Sequence, residues 1–83
     1  MNQITIILYA NLKEKAGTDR IDMQVPTNAT IADLKKILKK DYPSLGPQLA
    51  NVHVMVNKRN LPLETDVIPP NAEITFLPPI SGG

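Results

Sequence analysis

The stretch TNATIADLKKILKKDYP is the one convincing helix in this 83-residue chain, and what must cover it limits the fold. Ile31, Leu34, Ile37 and Leu38 fall on one stripe at helical spacing. Thr30 can cap the exposed backbone N–H groups, and Asp33 stands in the first turn as in a variant capping box. Lys35, Lys36, Lys39 and Lys40 lie largely outside the stripe, mostly near the C-terminal end where the helix dipole favours cations, and read as a solvated face. Pro43 forbids further helix soon after Asp41. The other apolar runs are short and read as strands. A sheet with one face laid on this helix therefore accounts for the chain, which places it in the α+β class.

Gln3–Ala10 is rich in β-branched residues and reads as a first strand, with Ile4, Ile6 and Leu8 on an apolar face and Thr5, Ile7 and Tyr9 on a mixed one. NLKEKAGTDR reads as a polar connection in which Gly17 supplies a turn residue. RIDMQVP alternates, with Ile21, Met23 and Val25 on one side, and Pro26 ends it. VHVMVN gives a third strand with Val52, Val54 and Val56 inward and His53 and Met55 outward, and NKRN follows as a turn. LPLETDVIPPNAE holds Pro62, Pro69 and Pro70, so it supports only short, edge-type pairing. EITFL is the last strand, with Ile74 and Phe76 in the apolar phase. This order fits a roll of strands gripping one helix, the ubiquitin-like β-grasp arrangement with a mixed sheet. The uncovered face would carry Thr5, Ile7, Tyr9, His53, Met55, Thr75 and Leu77. That is apolar enough for a docking platform; the alternative is that the loop after Asn60 folds over part of it.

Composition removes several function classes. A chain this short buries roughly 60–65% of its unfolded surface, enough for one modest core and no deep enclosed site. Nine Lys and Arg against eight Asp and Glu leave no bulk field pointing to nucleic acid, and Tyr9, Tyr42 and Phe76 are too few for base stacking. Without cysteine there is no disulfide, thiolate metal site or Cys nucleophile. The N-terminal apolar run is too short for a membrane span and lacks the basic start of a signal peptide, so a soluble, cytoplasmic protein is expected. His53 is the lone histidine, and a metal needs three or four converging ligands; no metal site and no bound cofactor are expected. The acids Asp19, Asp22, Glu64, Asp66 and Glu73 show no pairing that general acid and base work requires.

The remaining chemical handle is the ending ITFLPPISGG. Pro78 and Pro79 cannot donate ladder hydrogen bonds, so the sheet should stop near Leu77. Their fixed φ favours an extended, polyproline-like path that could carry the Gly83 carboxylate roughly 19 Å from the sheet. Gly82 and Gly83 carry no Cβ and can thread a channel that excludes side chains. A glycine carboxylate activated as a mixed anhydride with AMP can accept sulfur, giving a thiocarboxylate, or an amine, giving an amide. Residues 1–77 are thus read as the β-grasp domain and 78–83 as an extended C-terminal reactive tail.

Phe76-Leu77-Pro78-Pro79-Ile80-Ser81-Gly82-Gly83 resembles the ending of the β-grasp sulfur carriers, in particular the small subunits of molybdopterin synthases. ILYANLKEKAGTDR and VMVNKRNLPLETDVIPPNAEITFLPP are similar to other parts of that family, so the resemblance spans essentially the whole chain. It implies a carrier that is not itself a catalyst. An E1-like enzyme would use ATP to adenylate Gly83, and a sulfur donor would convert it to a thiocarboxylate. The tail, Pro78, Pro79, Ile80, Ser81 and Gly82, would then insert into a large catalytic subunit, within a complex of two large and two small subunits. There sulfur would pass to cyclic pyranopterin monophosphate in molybdenum cofactor biosynthesis. The family's hydrophobic contacts map to Tyr9, Leu77 and Leu61. The chain departs from the family at Ile68-Pro69-Pro70-Asn71-Ala72-Glu73, where many members carry an acidic, glycine-containing turn. Rival readings are a carrier for thiamine biosynthesis or tRNA thiolation, a ubiquitin-like protein modifier, and a noncovalent ubiquitin-like interaction module, which would have no use for Gly-Gly.

Overall fold

The computed structural model describes residues 1–59 and 61–78. Strand β1 (Asn2–Leu8) pairs antiparallel with β2 (Arg20–Val25), Ile6 opposite Ile21. On its other side β1 pairs in parallel with β4 (Glu73–Leu77), Ile6 beside Ile74. Strand β3 (His53–Val56) lies antiparallel to β4, giving the order β2-β1-β4-β3. The mixed sheet expected from the sequence is present, with alternation read in the correct phase. Ile4, Ile6, Leu8, Ile74 and Phe76 are buried almost completely on one face.

That face is covered by helices. Helix α1 (Ala10–Ala16) connects β1 to β2, and α2 (Ile31–Asp41) follows β2. After Asp41 a 3-10 turn at Pro43–Leu45 leads into the short helix α3 (Gly46–Leu49). Leu12, Ile31, Leu34, Leu38, Leu45 and Leu49 join the strand residues in one core. Ile37, expected on the buried stripe, packs at the edge of this core and stays half-exposed.

Helix α2 begins as its sequence dictates. Thr30 Oγ1 accepts from the Asp33 N–H at 3.2 Å, and Asp33 Oδ2 accepts from the Thr30 N–H at 3.1 Å, a reciprocal capping box. The other early N–H groups of the helix, which have no partner within it, are met from the proline-rich loop. Ile31 N–H donates to the Asp66 carbonyl and Ala32 N–H to the Glu64 carbonyl. Thr30 and Val67 form an isolated antiparallel bridge, and Ile68 is buried beside them. The loop after Asn60 thus folds against the N-terminus of α2. Lys35 takes part in this closure: its ammonium pairs with Glu64 and its side chain is only 18% exposed. One of the four lysines assigned to solvent is therefore half-buried.

Two segments differ from the sequence reading. The expected strand through Ala10 stops at Leu8, and the polar connection after it is helix α1. Lys, Glu and Ala are good helix formers, and Leu12, 0% exposed, pins the helix to the core. One large apolar residue in seven leaves no stripe for periodicity to reveal. Gly17 does supply the expected turn, as a left-handed C-cap with φ 77° whose N–H donates to the Lys13 carbonyl. The second difference is the run Pro43–Leu49, whose Leu45 and Leu49 are anchored in the core. The NKRN turn is confirmed: Asn57 and Lys58 both have positive φ and Arg59 N–H donates to the Val56 carbonyl, the signature of a type I′ turn.

Candidate functional site

Because successive strand residues point to opposite faces, burying Ile4, Ile6 and Leu8 turns Thr5 and Ile7 outward. In β4 the same parity turns Thr75 and Leu77 outward. Register places Ile7 beside Thr75 and Met55 on its other side. Thr75, between them, is only 7% exposed. Ile7, Met55 and Leu77 are half-buried, so the open face has an apolar centre.

One flank of this face is charged. Across β1 and β2, Ile7 pairs with Arg20 and Thr5 with Asp22. Thr5 Oγ1 donates to Asp22 Oδ1 at 2.9 Å, and Arg20 Nε donates to the same oxygen at 3.3 Å. The Thr5 hydroxyl holds the Asp22 carboxyl below its ordinary value against an opposing effect of burial, and the Arg20 guanidinium adds a lesser lowering. Near the start of β4, Glu73 stands within 3.9 Å of the Lys58 ammonium.

The sequence-expected residues fall into three groups. Tyr9 and Leu77 lie together: β1 and β4 are parallel and pair up to Leu8 and Phe76, so Tyr9 leaves β1 at the end where Leu77, paired with His53, closes β4. Tyr9, 49% exposed, stands at the N-cap position of α1 without a side-chain capping bond, and Pro78 follows Leu77 half-buried. Leu61 is elsewhere. It is 77% exposed and borders grooves with Val54 and Ile31 on one side and Val56 and Val67 on the other, beyond the outer edge of β3. Pro79, Ile80, Ser81, Gly82 and Gly83 lie outside the described residues. His53 is exposed on β3, and among the described residues no three His, Cys, Asp or Glu side chains converge. No helix of the described residues is long and apolar enough to cross a membrane.

Beside Pro78 is a cleft that sequence reasoning did not find. Asn11 from α1, Gln48 from α3, Asn51 and Val52 line it. Its amide residues carry no motif, and neither short helix that presents them was readable from periodicity.

A sheet of this order wrapped on one face by helices, its other face open, is the ubiquitin-like β-grasp fold. A family model described as the ThiS family matches residues 6–83, and the chain belongs to that family. It is 36% identical over 84 residues to the molybdopterin synthase sulfur carrier subunit of Dictyostelium discoideum, covering 99% of this chain and 98% of that protein. The crystal structure of SAMP1 from Haloferax volcanii matches with a TM-score of 0.86 at 23% identity, over 99% of this chain and 100% of that one. A chain in the complex of subunits 1 and 2 of molybdopterin-converting factor from Helicobacter pylori matches with a TM-score of 0.70 at 15% identity, over 98% and 99% of the two chains. The last two likenesses are likenesses of fold.

Proposed function

We propose that this protein is the sulfur-carrying small subunit of a molybdopterin synthase. The observation that carries the reading is the near full-length identity to a sulfur carrier subunit, within a family match that runs through Gly83.

The chemistry uses the Gly83 carboxylate. An E1-like enzyme brings ATP to it; a carboxylate oxygen attacks the α-phosphorus, pyrophosphate leaves, and an acyl adenylate forms. The terminal sulfur of a donor's persulfide then attacks the acyl carbon and AMP leaves; a second thiol breaks the resulting S–S bond, leaving a thiocarboxylate on Gly83 and a disulfide on the donor side. Gly82 and Gly83, with no Cβ, let this group enter a narrow channel in the large subunit, where Pro78, Pro79, Ile80 and Ser81 form the inserted stem. Two small subunits, each paired with a large one, supply the dithiolene sulfurs to cyclic pyranopterin monophosphate, and each tail returns to a carboxylate. The large subunit furnishes the catalytic side chains. The small one holds no cofactor and contributes fold, docking face and cargo, working in the cytoplasm.

Ile7, Met55, Thr75 and Leu77, with Tyr9 at the edge, form the surface on which the large subunit and the activating enzyme seat while the tail is engaged. Leu61 is a separate contact beyond β3. Reconstituting the synthase with protein lacking Gly83 tests the proposal. Loss of product with unchanged folding supports it; undiminished product contradicts it. Lysine-linked conjugates of the charged protein would instead identify a ubiquitin-like modifier using the same activated glycine.

A further inference from the structure

Strand β2 ends the sheet, and hydrogen-bond parity fixes which of its backbone groups face outward. Leu8 N–H donates to the Asp19 carbonyl, so by alternation Ile21, Met23 and Val25 bond to β1. The N–H and C=O groups of Arg20, Asp22 and Gln24 therefore point away from the sheet. Those of Arg20 are already met: the Thr18 hydroxyl donates to the Arg20 carbonyl at 3.0 Å and accepts from its N–H at 3.3 Å. Those of Asp22 and Gln24 have no backbone partner among the described residues. Natural edges are kept from pairing by bulges, prolines and unpaired charges, lysine above all. The six residues of β2 pair with β1 without a bulge and include neither Pro nor Lys, and the two charges, Arg20 and Asp22, are tied to each other. At the other edge β3 is guarded: Arg59 N–H occupies the Val56 carbonyl, and Leu61 and Pro62 stand beside Val54.

We propose that this edge pairs with β2 of a second copy of the chain, antiparallel about a twofold axis at Met23, joining two four-stranded sheets into one. The residues of β2 leave the axis one place to sit. At Arg20 or Ile21 it would use the Arg20 groups that Thr18 holds. At Asp22 it would set two carboxylates opposite each other, a like-charge pair. At Gln24 or Val25 it would set an open residue against Pro26, which has no N–H. At Met23 it sets Asp22 against the partner's Gln24 and Gln24 against the partner's Asp22, so every open group is paired. The side chains agree with this register. Asp22 Oδ1 accepts from Thr5 and Arg20, which leaves Oδ2 to accept from the partner's Gln24 amide. On the helix side Ile21 and Val25 are buried while Met23 stays half-exposed, and the two Met23 side chains meet at the axis. The edge is thus its own complement, as a twofold contact requires, and this singles out a second copy over an unrelated strand. Strand β4, which leads to the tail, lies two strands away from the contact.

The test is sedimentation equilibrium of the wild-type protein and of Gln24→Pro, which removes one outward N–H and leaves the ladder to β1 intact. The wild-type mean mass is expected to climb from that of one chain toward that of two as concentration rises to about 1 mM, and self-association of Gln24→Pro to be weaker by at least about tenfold. A wild-type protein that stays monomeric overturns the proposal, and so does equal self-association in Gln24→Pro; neither result touches the carrier reading. Should Gln24→Pro fail to fold, cross-linking decides, because the chain has no cysteine of its own. The Cα atoms of a non-hydrogen-bonded antiparallel pair stand about 4.5 Å apart, within the span of a disulfide. Met23→Cys is expected to oxidise to a linked dimer at least about tenfold faster than His53→Cys on the opposite edge strand, and equal rates overturn the proposal.

Discussion

Leu8 and Phe76 are register partners at the ends of two parallel strands, and both are almost fully buried. The pairing fixes where the chain leaves the fold. Parallel neighbours end on the same side, so Tyr9 turns into α1 where β4 ends at Leu77 and Pro78 follows. The tail root, the exposed Tyr9 ring and the apolar open face therefore share one end of the molecule. A partner seated on the face is in position to take the tail without crossing the sheet.

The face can be tested without touching the tail. Leu77→Asp puts a charge beside Thr75 and Met55, where partner binding would have to desolvate it. Affinity for the large subunit should fall at least about tenfold, while the melting temperature changes far less than for a core substitution. Titration calorimetry checks the first and a thermal melt the second. Unaltered affinity would place docking elsewhere.

Helix α1 is expected to be part of the cooperative core despite its polar sequence. Leu12 is 0% exposed, so Leu12→Ala should cost about 2–5 kcal/mol through lost burial and the cavity left behind. Urea unfolding measures this. A loss below about 0.5 kcal/mol, the range of surface substitutions, would show that α1 is only draped on the surface.

Gly17 separates backbone strain from packing. A Cβ added there meets nothing within 4 Å, yet φ is +77°. Gly17→Ala should therefore destabilise by about 1 kcal/mol from conformation alone. Comparing Gly17→Ala with wild type by urea midpoint measures the contribution of the left-handed cap.

Acid sensitivity should trace to Asp33. The Thr30 backbone N–H, then the Thr30 hydroxyl, hold its carboxyl below the ordinary value of 3.8, against a smaller effect of burial. A folded-state pKa below the unfolded one favours the ionised group in the folded protein. The stabilisation is then complete above the unfolded value and is lost as pH falls through the depressed folded value. Asp33→Asn should be less stable than wild type near neutral pH, and the gap should close below pH 3.8. Urea midpoints measured from about pH 7 to about pH 1 follow the closure. Asp22 contributes with the same sign through Thr5 and Arg20.

The features readable from the sequence are those set by local rules. Alternation in Ile4, Ile6 and Leu8 and in Ile74 and Phe76 assigned the two sheet faces, and Thr30 with Asp33 announced the start of α2. From those faces the outward side of Leu77 followed, whereas Tyr9 lies past the end of β1 at Leu8. What stayed hidden depends on contacts distant in sequence. Leu12 anchors a helix with no stripe, and Leu45 and Leu49 sit in a run broken by Pro43, Gly46 and Pro47. The proline-rich loop caps α2 through its Glu64 and Asp66 carbonyls, which no side-chain pattern encodes. The path of that loop also sets Leu61 beyond β3, away from the face that parity defines. The amide cleft needed α1 and α3 placed together before it could be seen.

The central claim is that Gly83 carries sulfur, and intact-mass spectrometry of the whole protein addresses it most directly. The protein is incubated with its E1-like enzyme, ATP and a sulfur donor, beside a variant with one residue appended after Gly83. The account predicts a mass gain corresponding to exchange of one oxygen for sulfur, located on the C-terminal peptide and absent from the extended variant. An unchanged mass for the wild type under conditions that charge a known carrier, or the same gain in the extended variant, would contradict it.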